Sequence, residues 1–309
     1  MDDVDFRFIP EKIVPDYTKT DVVHLAAELA KTADLIEKRK INDNAVLVIR
    51  SFNDNNLDLA FSTFGEYKTY KELVMAGKTV LDPSFDLCSL IIETITNDDH
   101  LVLGYRQGEH LSARYLAPAG FTNFDSKNVL KTSSGVQGYL EQKVAKELGE
   151  EVGLRLSHWH DPFDDSIQVT GLGADTKDSF LTVLNLTTFV ELDKEDTQLA
   201  WEQAGNEGEH PHLIYLPNNP KVIADFVRGT FTGNVGTAKK PIVYREGVCT
   251  EGPDYIKGKP YQLIENGIAG MLLAVRYHFG EDDYQEVLDA YQSTGKKVLF
   301  RSTIGESHD

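Results

Sequence analysis

The sequence predicts an α+β fold: one large domain preceded by a small α/β subdomain. Three observations predict it. Apolar runs of strand length come in pairs across turn-forming residues, as in A-V-L-V-I-R and L-D-L-A-F-S joined through N-D-N-N. Two longer stretches, one ending in K-E-L-G-E-E-V-G-L and one following Pro260, place apolar residues at helical spacing. Between the first hairpin and a second block of longer strands stands the turn signal Asp82-Pro83, which sets the division at 1–84 and 85–309.

The whole-chain composition narrows the function. With 309 residues, 41% of them hydrophobic, the chain is long enough to bury a sizeable core. No apolar run approaches the ~18 residues of a membrane span. The start, M-D-D-V-D-F, is too acidic for a signal or transit peptide, and Cys88 and Cys249 form no pattern, so a reducing cytoplasm is expected. A net charge of −18 opposes binding to nucleic-acid backbones and to anionic membranes. A small phosphorylated substrate stays compatible with that charge, because a bound metal and a few bases can reverse the field inside one pocket. A homodimer is the oligomer considered.

In chain order, a short strand is expected over residues 6–14, then a helix from Thr20 to Lys38 capped by Thr20 or Asp21. The hairpin follows, then F-G-E-Y-K-T-Y-K-E-L as a loop entering a helix that ends near Gly77. S-L-I-I-E-T-I-T and H-L-V-L-G-Y-R form a second hairpin turning at Asn97-Asp98-Asp99. Residues 123–138 read as a polar inserted loop, and a helix runs from Tyr139 to Gly149 or Val152 with Gly153 as its stop. Strands are expected at S-I-Q-V-T-G-L-G, at F-L-T-V-L-N-L-T-T-F-V and at H-L-I-Y-L-P. A helix beginning after Pro260 packs Leu263, Ile264, Ile268, Met271, Leu272 and Val275. A last helix covers 282–292, and K-V-L-F-R is a strand candidate.

The chemistry concentrates in Lys146 to Leu154. At ~100° per residue Glu147, Glu150 and Glu151 share one arc of the helix. Glu151 lies only ~20° from Val144, which with Leu148 draws the apolar stripe, so its carboxylate sits at the edge of the buried face. Three carboxylates there repel each other and resist desolvation; a divalent cation removes both penalties. A solvated acidic face is the plain alternative. The ordered string of base, Glu, aliphatic, any residue, Glu-Glu, any residue, Gly, aliphatic arises by chance on the order of once in ten thousand such chains, which favours the metal.

At this string the sequence resembles the Nudix hydrolase superfamily. The family pattern is Gly, five residues, Glu, seven residues, then Arg-Glu-aliphatic-any-Glu-Glu-any-Gly-aliphatic. The second half is present with Lys146 in place of Arg. The first half is out of register, with Thr132 and Gly138 at the expected Gly and Glu positions. Gly120, in L-A-P-A-G-F, looks like the family glycine displaced by an insertion.

The resemblance implies an α/β/α sandwich around a mixed sheet. It implies Mg²⁺ or Mn²⁺ on Glu147, Glu150 and Glu151, and Lys146 bracing a helix glutamate as a point charge rather than a fork. The reaction implied is hydrolysis of a diphosphate linked to a nucleoside. Glu207 and Glu209 stand where some members draw a general base, with a solvated acidic loop as the alternative; Arg106 faces the substrate phosphates or is a surface arginine. The order of elements is similar to the branch that cuts UDP-sugars to UMP and sugar 1-phosphate, the animal UDP-glucose pyrophosphatase. That likeness makes Tyr67 and Lys68 candidates for nucleotide contact, with subdomain packing as the alternative for Tyr67. A nucleotide-sensing module without turnover is the second function class. His158 with His160, and His210 with His212, lack a third soft ligand, so solvated or capping roles are expected. Ser133-Ser134-Gly135 lacks the pattern of a phosphate loop.

Overall fold

The computed structural model of the chain describes residues 4–7, 45–53, 56–63, 86–106, 112–121, 123–124, 135–155, 158, 167–174, 181–205, 210–295 and 298–301. Strand β1 is Val4–Arg7. The expected hairpin is β2 (Ala45–Asn53) and β3 (Asn56–Thr63), closing with Asn53 opposite Asn56. The second hairpin is β4 (Asp86–Ile95) and β5 (His100–Arg106). Its turn is fixed by Thr96, whose hydroxyl donates to Asp98 at 2.7 Å and accepts the His100 N–H at 3.0 Å, with Asp99 at φ 60. The chain continues through β6 (Ala113–Leu116), β7 (Ala119–Phe121) and β8 (Asn123–Phe124) to helix α1 (Gly135–Val152).

Strands β9 (Ile167–Ala174) and β10 (Leu181–Phe189) lead to α2 (Lys194–Ala204), β11 (Leu213–Pro217) and α3 (Pro220–Arg228). A separate three-stranded sheet is made by β12 (Gly233–Asn234), β13 (Val243–Arg245) and β14 (Val248–Glu251). Strand β15 (Tyr261–Leu263), α4 (Glu265–Phe279), α5 (Glu281–Gln292) and β16 (Val298–Arg301) complete it.

The α+β class holds. Among the described residues the large sheet has 13 strands, with the path β15-β6-β5-β4-β10-β9-β1-β16. It is mixed, because β10 runs parallel to β4 while β9 and β5 pair antiparallel with β10 and β4. The hairpin β2–β3 belongs to the same sheet: Val48 pairs with Leu87 and Ala45 with Phe124.

The pleat shows which helix covers which face. Gly120 pairs with Leu90, so both look to one side, and a Cβ on Gly120 would strike Glu147 of α1. The next residue, Ile91, and its facemate Glu93 look the other way and meet Gly270 of α4. Helices α1 and α4 therefore cover opposite faces. The α4 side holds the larger core, with Ile91, Val183, Met271, Leu272 and Val275 at 3% exposure or less. Within it lies an anomaly. Glu93 is fully buried, neither of its oxygens has a partner among the described residues, and burial pushes its carboxyl up to about 8.

Three readings of the sequence need correction. Residues 123–138 are not wholly a loop: β8 pairs with β2, and α1 starts at Gly135, four residues before Tyr139. The segment after Pro260 is not helical at once. Tyr261 and Leu263 are buried on either side of half-buried Gln262, a period of two, and β15 pairs parallel with β6 before α4 begins. Finally, α2, α3 and the three-stranded sheet were not foreseen. The helices expected from Thr20 and before Gly77 lie outside the described residues. Among the described residues no helix is long and apolar enough to cross a membrane.

Candidate active site

Helix α1 carries the acidic string onto the rim of the sheet. Val144, Leu148 and Val152 are fully buried, so they fix the helix rotation, and Glu151 follows them inward to 1% exposure as the helical wheel requires. Gly153 ends the helix at φ 72 in close contact with α2, where a Cβ would lie 2.6 Å from the Ala200 carbonyl oxygen.

Glu151 is the most engaged of the three glutamates. Its Oε1 accepts from Arg106 Nη2 at 3.2 Å, and its Oε2 accepts the Ala119 N–H at 2.9 Å. The same Oε2 lies 3.2 Å from Nε2 of His210. Arg106 ends β5, Ala119 begins β7 and His210 precedes β11, so one carboxylate ties three strand termini to the helix.

Glu147 is the second buried acid, and its Oε1 pairs with Lys143 one turn earlier. Its carboxylate lies directly over Gly120, and a Cβ there would overlap it. Only glycine leaves that space. Burial raises the Glu147 carboxyl above its ordinary range, against the opposing pull of Lys143. Glu150 points outward, and its pair with Lys146 at 3.4 Å joins two half-exposed side chains. Such a pair is screened and weak. Lys146 thus reaches Glu150, while the brace on Glu151 comes from Arg106.

The sequence-derived candidates separate cleanly. Glu147, Glu151, Gly120 and Arg106 are brought together; Lys146 and Glu150 flank them on the solvent side. Tyr67, Lys68, Glu207 and Glu209 lie outside the described residues. Lys143 and His210 were missed. Lys143 precedes Glu147 by one helical turn, a spacing that marks an ion pair. His210 was expected to be solvated or capping, and it is buried instead. Its ring fills the space over Gly104, where a Cβ would come within 2.6 Å. His158 does cap: its Nδ1 accepts the Arg155 N–H at 3.1 Å.

Behind His210 lies a second polar group. His212 is buried, stacks on Tyr105 with centroids 4.7 Å apart, and is bonded to Tyr255 Oη through Nδ1 and to Tyr115 Oη through Nε2, each at 2.8 Å. Tyr115 Oη lies 2.8 Å from Tyr244 Oη. Burial lowers the His212 imidazole to about 3 and raises the Tyr115 phenol well above its ordinary range.

The site suits a hard cation in its donor type, carboxylate oxygen, and in the glycine cradle beneath Glu147. The placement is less open. Each glutamate is already answered by a protein cation, and among the described residues no three His, Cys, Asp or Glu side chains surround one point.

No protein-family model matches this chain, and no curated protein does. A solved structure similar to part of it is a Nudix hydrolase from Nitrosomonas europaea. The two are 15% identical over 47% of this chain and 90% of that one, with a TM-score of 0.22, a likeness too loose to place any residue.

Proposed function

We propose that this chain is a Nudix-type hydrolase that cuts a nucleoside diphosphate-linked compound, using Mg²⁺ or Mn²⁺. The observation that carries the proposal is the seat of Glu147 on Gly120. The glycine displaced in sequence lies under the helix glutamate in space, so the loop and helix halves of the resembled motif meet despite the insertion. A UDP-sugar is the leading substrate, giving UMP and sugar 1-phosphate. Water adds to one phosphorus as the bridging P–O bond breaks, and two protons are released.

Glu147 and Glu150 would hold the cation, with Glu151 beside them once its present partners allow. When bound, the ion neutralises charge on the diphosphate and makes a bound water more acidic. Arg106 spends one Nη on Glu151, and its Nε is buried without a partner among the described residues. Its remaining N–H donors can therefore face a phosphate in the planar, two-point manner of guanidinium. Ala119 and Gly120 keep the loop close to that anion. Glu207 or Glu209 as general base, and Tyr67 and Lys68 on the nucleotide, stay part of the proposal.

One observation favours a second reading, a nucleotide-sensing module. All three glutamates already have basic partners, an arrangement that needs no metal to be neutral. Chromatography of UDP-glucose incubated with the protein and Mg²⁺ or Mn²⁺ separates the two. Release of UMP that vanishes in Glu147→Gln supports the hydrolase. Tight nucleotide binding with no turnover across a panel of diphosphates supports the sensor and removes the hydrolase.

A further inference from the structure

Lys143 belongs to no part of the motif that led to this site, yet it sits inside it. It is 4% exposed, its partner Glu147 is 8% exposed, and its ammonium rests on Oε1 of that carboxylate. Oε2 of the same group is pressed against Gly120. A lysine buried this deeply is uncommon unless it is paired. The pair is also local, spaced one helical turn on α1, so it forms whenever the helix does.

We propose that Lys143 is an internal competitor for the divalent cation: its ammonium holds the charge position at Glu147, and a metal gains that carboxylate only by displacing it. The inference rests on the metal-dependent reading above. Its physical basis is the desolvation of both partners. A buried carboxylate needs one compensating cation, and leaving it with none is strongly unfavourable. Ammonium and metal are alternative solutions to that need. Lys146 supplies the internal contrast, because its pair with Glu150 is half-exposed and water already compensates both charges.

The test is Mn²⁺ titration of the full chain, with free Mn²⁺ read by electron paramagnetic resonance. Lys143→Met keeps the aliphatic stem and removes the charge. It should bind Mn²⁺ about tenfold more tightly or better, whereas Lys146→Met should change affinity by less than about threefold. Adding Glu147→Gln to Lys143→Met should abolish the gain. Thermal unfolding is the second readout. Lys143→Met should melt below the wild type in EDTA and recover more than the wild type does when Mn²⁺ is added. Should Lys143→Met fail to fold, Lys143→Gln carries the same comparison. Equal or weaker Mn²⁺ binding by the folded variant, with the wild type still binding, overturns this inference and leaves the metal reading standing. No Mn²⁺ binding by either protein overturns both.

Discussion

The imidazole of His210 and the carboxylate of Glu151 meet at 3.2 Å with both side chains removed from solvent. Nδ1 of the same ring faces the Tyr105 carbonyl at 3.1 Å. Both ring nitrogens therefore look at oxygens, which fixes the orientation of the ring from two sides. The pair, with Arg106 and the Ala119 N–H, locks the end of α1 to β5, β7 and the chain entering β11. The acidic helix is thus held in place by one of its own glutamates.

Removing His210 tests that lock. His210→Ala leaves a cavity over Gly104 and takes one of three partners from a buried carboxylate. Loss of a buried hydrogen-bond partner costs about 1–3 kcal/mol, so the urea midpoint should fall by roughly 0.5–1.5 M at ordinary slopes. Gly104→Ala should approach the same loss, because its methyl claims the space of the ring. A midpoint unchanged in both variants would show that the contact contributes nothing.

Gly120→Ala addresses the other glutamate. The added methyl overlaps the Glu147 carboxylate, which must swing away and drag Lys143 with it. Overpacking of this kind costs about 1–3 kcal/mol. Diphosphate hydrolysis should drop by at least about tenfold, since displacements near 1 Å in positioned groups have effects of that size or larger. Chromatographic rates on folded variant protein are the measurement. Wild-type rates in that variant would detach the loop from the chemistry.

Much of this arrangement was legible in the sequence. The rotation of α1 followed from Val144, Leu148 and Glu151 alone, because a helical period fixes angles whatever the tertiary context. Gly120 stood out despite the shifted register, and it does lie under Glu147, since glycine is needed wherever a second group lies against the backbone. The partners of Glu151 were less accessible. Arg106, Ala119 and His210 are far from it in sequence, and sheet topology alone unites them. The start of α4 was misread because Tyr261 and Leu263 suit a helix face as well as a strand. Helix α3 did carry its signals, an Asn219 cap, Pro220 in the first turn and Gly229 at φ 82. They lay unused in a stretch without long apolar runs.

Stability should be greatest on the mildly acid side of neutrality and fall as pH rises to about 8. Glu93 holds its proton to about pH 8 when folded, against an ordinary value of 4.5. Between those values the unfolded chain has released a proton that the folded chain retains, so stability is full below the ordinary value and declines as pH rises through 8. The slope reaches about 1.4 kcal/mol per pH unit. His212 acts in the opposite direction. Its folded value of about 3 lies below the ordinary 6.5, so stability is lost as pH falls below 6.5. The two slopes are equal and opposite between 4.5 and 6.5, so urea midpoints across pH 5.5–8.5 should stay level to about 6.5 and then fall toward 8. Glu93→Gln should remove the fall above pH 6.5 and uncover the His212 loss below it; a fall between 6.5 and 8 unchanged in that variant would contradict the assignment.

The tyrosine chain behind His212 gives a graded expectation. Tyr115 Oη sits mid-chain, bonded both to His212 Nε2 and to Tyr244 Oη. Tyr115→Phe therefore strands two buried polar atoms at once, and each unsatisfied group costs about 1–3 kcal/mol. Tyr244 stands at the end of this run, so Tyr244→Phe removes one bond and leaves Tyr115 its contact with His212. Its loss should be near the ~1 kcal/mol of a single neutral hydrogen bond. Thermal unfolding of the two variants and of the double variant settles the order. The double variant should melt close to Tyr115→Phe, because the second hydroxyl has already lost its partner. Additive losses would mean that the two phenols act independently and that no continuous chain runs from His212 into the three-stranded sheet.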